Sequence, residues 1–355
     1  MSAESALRWG VIGPGGIAHK VVRYGIHRAG HRVVAVASRS LEKAQAFAAK
    51  HDIPNVCTSY DELISRTDID AIYIPLPSLL HKEWCIKAAQ AKKHILVEKP
   101  VGRDTDEVRE IIAACEANGV VFMDGTFWVH HPRTAEIKKT IESGELGTIR
   151  SVVSRFSYPG HTMDPKSEIR LNTNLEATGV LGDLGWYNIR YSLFVFGYEL
   201  PVEVVGHIVE RHPETGAARI FVGIMKWTDG RTSTFEVSFL ATDIQRIDIT
   251  GLDKSLWMDD FVLPFDGTVN FFPSPEEFQP ATTATYYVSA GIGKAEERKA
   301  FVGDVIQEQC MIQDFADCVA GRKSAKTFSD ETLKVHQVID AIWTSALNNG
   351  TPVRL

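Results

Sequence analysis

The stretch "LRWGVIGPGGIA", residues 7–18, decides the fold. Its first half is an apolar, β-branched run that reads as a strand. Gly13, Gly15 and Gly16 then punctuate the chain before a helix-length segment, and Ala18 fills the last small position of a G-x-G-x-x-A pattern. The reason for these residue types is steric. The first glycine permits a tight turn, the second lets backbone approach a pyrophosphate, and the small third residue lets helix pack on strand. A helix N-terminus adds unpaired N–H groups and a partial positive charge that suit an anion. The pattern predicts a dinucleotide site contacted by Gly13, Gly15, Gly16, Ile17 and Ala18. The plain alternative is a glycine turn without ligand, and the flanking strand and helix argue against it.

Outward from this turn the rhythm repeats. "RVVAVAS" (32–38), "DAIYIPLP" (70–77), "HILVEKP" (94–100) and "VVFMDG" (120–125) read as strands, alternating with helix-length segments at 41–51, 81–93 and 104–119. The last of these opens on Asp104 and closes on Asn118-Gly119, a well-capped helix. Strands alternating with helices imply βαβ units, right-handed crossovers and a doubly wound parallel sheet. The first domain is placed at 1–125. Its second strand ends on Ser38-Arg39-Ser40 and not on the carboxylate that bonds an NAD ribose. Arg39 can pair with a 2′-phosphate through charge-assisted bonds, so NADP is favoured and NAD is the alternative.

In such sheets ligands lie at the carboxyl ends of the strands. That rule puts Pro75, Glu98 and Lys99 at the cofactor, on the strands "AIYIPLP" and "HILVEKP". Pro100 restricts the backbone of Lys99. A solvated lysine at a strand end is the plain reading of the same position. His81, opening the helix after "PLPSLL", is a further candidate near the nicotinamide, or else a helix cap.

After residue 125 the pattern changes. A helix opened by Pro132 is followed by strand runs at 148–159, 202–210, 218–227, 231–241 and 246–251, with Asp229-Gly230 marking a hairpin turn. "GVLGDLGWYNIRYSLFVFG" (179–197) reads as a helix among them, and "SDETLKVHQVIDAIWTSALNNG" (329–350) is expected to be an amphipathic helix. Residues 126–355 are expected to form an α+β domain on a large, mostly antiparallel open sheet, serving substrate binding and oligomerisation. The Pro/Thr-rich stretch 271–287 reads as a long loop.

Composition narrows the function. Among 355 residues, 44% are hydrophobic and 23% charged, a globular balance, and the length favours two domains. A net charge of −7, with no Lys/Arg cluster longer than Lys92-Lys93, argues against nucleic acid and anionic membrane as partners. The five cysteines are scattered, which suits neither a disulfide framework nor zinc, and no metal is expected. The opening "MSAESA" has no apolar signal core, and no run reaches the ~18 apolar residues of a membrane span. The expected setting is the cytoplasm.

Taken together, the glycine turn, the Arg39-ended strand, "EKP" after the fifth strand and an α+β second half resemble the Gfo/Idh/MocA oxidoreductases. The finer resemblance is to the branch of dimeric dihydrodiol dehydrogenases and NADP-dependent D-xylose dehydrogenases. It is carried by "ASRSLEKAQAFAAKHDIP", "EKPVG", "FMDGTFWVHHPRT" and "GDLGWYNIRYSLFVFG". The resemblance implies that Lys99 is the EKP lysine, and that Asp183 and Tyr187 fill a D-x-x-x-(H/Y) pair, with tyrosine where many members carry histidine. It also implies that Trp128 and Phe156 are apolar walls of the substrate site, and that the protein is a homodimer or homotetramer.

The residues agree with that implication. Asp183 and Tyr187 are four apart and share a helix face. Oxidising a C–OH needs a base for the hydroxyl proton, and a cation lowers the pKa of a phenol. Tyr187 is therefore the expected acid/base, Lys99 its activator, and Asp183 a hydroxyl acceptor. Arg170 and Lys166, in the polar loop "GHTMDPKSEIRLNTN", could touch a polyhydroxy substrate or a phosphate on it. The expected activity is NADP-dependent oxidation of an aldose at C1. A trans-dihydrodiol dehydrogenase, a dicarbonyl or ketosugar reductase, and a non-catalytic NADP-sensing regulator are the alternatives.

Overall fold

A computed structural model describes residues 6–264, 283–291, 293 and 295–355. The chain divides into two compact units, Met1–His131 with Val305–Thr332, and Pro132–Asp304 with Leu333–Leu355. The boundary expected at 125/126 thus falls six residues later in the contact pattern, and residues 305–332 belong with the first unit.

The first unit runs β1 (Arg8–Ile12), α1 (Gly16–Lys20, continued by a π-helical segment Val21–His27), β2 (Arg32–Ala37), α2 (Leu41–Lys50) and β3 (Asn55–Cys57). There follow α3 (Tyr60–Ser65), β4 (Ala71–Ile74), α4 (His81–Gln90), β5 (His94–Val97), α5 (Thr105–Asn118) and β6 (Phe122–Asp124). All pairings are parallel, in the order β3-β2-β1-β4-β5-β6. This is the Rossmann order, with the topological switch between β1 and β4. Local chemistry explains the punctuation. Ser40, Ser59 and Asp104 each accept a backbone N–H three residues on, which satisfies the otherwise orphaned donors at the starts of α2, α3 and α5. Gly119 closes α5 at φ +67°, a conformation that an L side chain resists.

The second unit opens with α6 (Pro132–Glu142) and β7 (Ile149–Pro159). A π-helical turn, Leu181–Gly185, leads into α7 (Trp186–Val195). Then come β8 (Glu203–Arg211), β9 (Ala218–Lys226), β10 (Thr232–Ser238), β11 (Leu240–Gly251), β12 (Ser255–Met258), β13 (Thr283–Ser289), β14 (Glu296–Phe301) and, at the C-terminal end, β15 (Val353–Arg354). Among the described residues they form one nine-stranded sheet, β14-β13-β12-β11-β7-β10-β9-β8-β15. The β7/β10 pair is parallel and the rest are antiparallel. The β9–β10 hairpin pairs Lys226 with Thr232 across the Asp229-Gly230 turn, as its sequence predicts. Of the loop expected at 271–287, residues 271–282 lie outside the described residues, and 283–287 belong to β13.

Two helices follow β14: α8 (Gln307–Val319) and α9 (Ala325–Leu347). The last helix, expected from Ser329, starts four residues earlier at Ala325, and Ser329 Oγ donates back to Lys326 O at 3.0 Å. Helix α8 is part of the first unit's core: Met311, Ile312 and Phe315 are fully buried there, and the Phe315 ring lies 4.9 Å from that of Trp9 on β1. Burying a side chain of this size contributes about 1.5–3 kcal/mol. An ion pair with little exposure, Lys20 to Glu308 at 2.7 Å, fastens the glycine-turn helix to α8.

Candidate active site

The glycine turn is built from backbone alone. Gly13 sits at φ +86°, where a Cβ would fall 2.5 Å from the Leu76 side chain, so the fold itself demands glycine there. Gly13 N donates to Ala37 O at 2.9 Å and Ala18 N to Gly15 O at 3.0 Å, tying the turn to the end of β2 and to the start of α1. Ala18 is fully buried, as close helix–strand packing requires. Gly15 and Gly16 are different. A Cβ on Gly15 would meet Pro75 O at 3.7 Å, an ordinary contact, and one on Gly16 would meet nothing within 4 Å. The fold needs no glycine at either position, and the open cradle beside the turn matches the close approach of a pyrophosphate. The Pro75 carbonyl lies beside the turn. Ser38 Oγ braces the end of β2 by accepting from Ser40 N at 3.2 Å. Arg39 is exposed and neighbours the Tyr60 phenol, whose pKa burial raises and Arg39 partly restores.

At the end of β5, Glu98 and Lys99 have unlike surroundings. Glu98 is 8% exposed. Tyr73 on β4 donates its hydroxyl hydrogen to Glu98 Oε1 at 2.5 Å. The carboxyl group lies so close to Gly125 that a Cβ there would come within 2.9 Å of it. Burial lifts the Glu98 pKa to about 7, against the opposing pull of Tyr73 and Lys99. Lys99 is half-buried, and the Lys99–Pro100 peptide is cis. His81 braces this turn from α4. Its Nε2 lies 2.7 Å from Leu76 O, and its Nδ1 lies 3.0 Å from Pro100 O and 3.2 Å from Val101 O. Burial pulls its pKa down to about 4. His81 is thus neither a solvent-facing group nor a helix cap but a tie between the ends of β4 and β5. Trp128 is a core side chain, 2% exposed.

In the second unit, from Leu181 to Leu193, every residue is buried except Asp183 and Tyr187. One face of β7 is matched to this helix. Ser154, Phe156 and Tyr158 alternate along the strand and therefore project to the same side. Ser154 Oγ accepts from Asn188 Nδ2 at 2.8 Å, Phe156 stands edge-on to Tyr187 at 5.7 Å, and Tyr158 donates to Asp183 Oδ2 at 3.3 Å. Arg170 closes the group, giving Nε to Asp183 Oδ2 at 2.7 Å and Nη1 to Glu168 Oε1 at 2.9 Å. Asp183 raises the Arg170 pKa, and burial with Asp183 raises that of Tyr158, so the first stays a cation and the second a neutral donor. The structure thereby gathers Phe156, Arg170, Asp183 and Tyr187 in one place. Sequence reading missed Tyr158 and Glu168; the two-residue step from Phe156 along a strand was the available signal for Tyr158.

These features define a class: a dinucleotide-binding Rossmann unit joined to an α+β unit that presents an acid and a phenol on one helix. Residues 7–126 match the oxidoreductase family with an NAD-binding Rossmann fold, and residues 134–257 match the GFO/IDH/MocA C-terminal domain. The chain belongs to the Gfo/Idh/MocA family of oxidoreductases. It is similar to the bovine trans-1,2-dihydrobenzene-1,2-diol dehydrogenase, at 31% identity over 83% of this chain and 87% of the relative. The NADP+-dependent D-xylose 1-dehydrogenase 2 of Haloferax volcanii is 28% identical over 98% of this chain and 100% of its own. Among solved structures, the 3-ketoreductase KijD10 of Actinomadura kijaniata, in complex with NADP and TDP-benzene, superposes with a TM-score of 0.82 at 25% identity, covering 96% of this chain and 98% of that one. Among the described residues no helix is long and apolar enough to cross a membrane.

Proposed function

We propose that this oxidoreductase transfers a hydride between NADP and a sugar or polyol, with oxidation of an aldose at C1 as its reaction. The observation that carries the reading is the helix on which Asp183 and Tyr187 are the residues left unburied between Leu181 and Leu193. A helix that hides everything but an acid and a phenol presents those two groups to a ligand. Bound NADP supplies the hydride acceptor. Gly15 and Gly16 leave room for its pyrophosphate, and Arg39 is exposed where a 2′-phosphate would pair with it. Tyr187 takes the hydroxyl proton of the substrate carbinol. A free phenol, with a pKa of about 10, holds little phenolate at neutral pH, and a cation such as the Lys99 ammonium would favour that form. Asp183, its Oδ2 held by Arg170 and Tyr158, orients the substrate hydroxyl.

The curated relatives named above act on a free sugar and on a diol, which supports a carbinol substrate. The test mixes the protein with NADP+ and a panel of free aldoses and vicinal diols, and follows absorbance at 340 nm. At least one aldose should be turned over, and Tyr187→Phe should lower its kcat by about 10²–10⁴, the range for a lost acid/base group. A silent panel from protein that binds NADPH tightly would identify a cofactor sensor instead.

A further inference from the structure

We infer that the Asp183–Tyr187 surface accepts an uncharged polyhydroxy substrate and excludes one carrying a phosphate beside Asp183, and that Arg170 is a positioning residue for Asp183 and no anion receptor. The inference rests on the sugar reading above and narrows its substrate class. A loop arginine suits a phosphate group, because its planar fork can bind two phosphate oxygens at once. Here two of the three guanidinium nitrogens are already held by carboxylates. Nε bonds Asp183 Oδ2 at 2.7 Å, Nη1 bonds Glu168 Oε1 at 2.9 Å, and the Arg170 backbone N–H bonds the same Glu168 oxygen at 3.1 Å. Arg170 and Tyr158 face each other and both face Asp183 and Glu168, so two carboxylates flank one guanidinium. The group carries one net negative charge. Lys166 and His161, in the same loop, are exposed.

A phosphate dianion brought to this place must displace a carboxylate from Arg170 or stand beside two of them. Both options cost binding. A neutral sugar meets no such barrier. Its hydroxyls can bond to carboxylate oxygens, and its C–H faces can lie on aromatic rings. Phe156 and Tyr187 supply those rings 5.7 Å apart.

The experiment compares each free aldose that turns over with its terminal phosphate, for example D-xylose with D-xylose 5-phosphate, in the NADP-saturated protein. The free sugar should be favoured at least tenfold in kcat/KM. Glu168→Gln removes one carboxylate and should narrow that ratio about tenfold. Arg170→Gln should lower kcat for the free sugar more than it raises KM, with Arg170→Lys restoring part of it, since a re-aimed Asp183 affects the chemical step. A phosphate sugar preferred over the free one would overturn the inference while leaving the oxidoreductase reading intact. Should no carbinol turn over, that reading fails, and inorganic phosphate still decides this one. It should leave the thermal midpoint of the NADP-saturated protein unchanged, whereas saturable stabilisation that Arg170→Gln abolishes overturns the inference.

Discussion

Tyr73 hands its hydroxyl hydrogen to Glu98 Oε1 across 2.5 Å, one residue before Lys99. The pair makes a buried carboxyl group out of what a strand end would otherwise leave in water. The pKa of Glu98 rises from an ordinary 4.5 to about 7 because burial penalises the charged form. Between those two values the folded protein holds a proton that the unfolded chain has released. Stability therefore falls as pH rises from about 4.5 to about 7 and levels off above, a loss of about 3 kcal/mol from this group. Glu98→Gln is neutral throughout and keeps an acceptor for Tyr73. Urea unfolding at pH 5 and pH 8 should show the wild type losing about 2.5 kcal/mol relative to Glu98→Gln across that interval. Identical pH slopes for the two proteins would discard the assignment.

Gly15 separates a glycine kept for a ligand from one kept for the fold. Its φ is −77°, and an added Cβ meets Pro75 O at 3.7 Å. Gly15→Ala should therefore unfold within about 0.5 kcal/mol of the wild type, as a strain-free surface change does. NADPH affinity should nevertheless fall at least tenfold, because the new methyl fills the space the pyrophosphate needs. Thermal unfolding and calorimetric titration of the same sample read the two effects. Unchanged affinity would mean that the dinucleotide does not lie against this turn.

Arg39 carries the choice of cofactor. It is exposed at the end of β2, where NAD-binding relatives of the fold place a carboxylate. A hydrogen bond to a charged partner contributes about 1.5–3 kcal/mol, so Arg39→Ala should weaken NADPH by about 10- to 100-fold and leave NADH nearly unchanged. Equal losses for both cofactors would assign Arg39 to the adenine instead of the 2′-phosphate.

The parallel half was legible because each of its signals is local. A glycine pattern, capping residues such as Asp104 and Gly119, and β-branched runs each act within a few residues. The return of α8 was not, since an amphipathic helix carries no mark of which core receives it, and Phe315 meets Trp9 across most of the chain's length. The pair Asp183 and Tyr187 was nameable from the family resemblance and not from spacing alone, and its surroundings were not nameable. An acid at a strand end looks solvated until Tyr73 and Gly125 close around Glu98. An arginine in a polar loop looks solvated until Asp183 and Glu168 pair with it. Those contacts join segments that neither periodicity nor spacing connects.

Lys99 and Tyr187 make the sharpest mechanistic prediction, because losing the cation should show in the pH profile as well as the rate. If Lys99 favours the phenolate of Tyr187, its removal raises the pKa of the base. At neutral pH a smaller fraction of Tyr187 is then competent, and the alkaline rise of kcat/KM for carbinol oxidation moves to higher pH. Lys99→Met should lose about 10²–10³ in kcat at pH 7, a typical acid/base contribution, and recover part of it as pH approaches the free phenol value of about 10. Tyr187→Phe has no phenol to ionise, so its residual rate should not recover. Steady-state rates of both variants from pH 6 to pH 10 separate the two behaviours. Full kcat in Lys99→Met at neutral pH would remove the lysine from the mechanism, and a rate loss independent of pH would make it a substrate clamp alone.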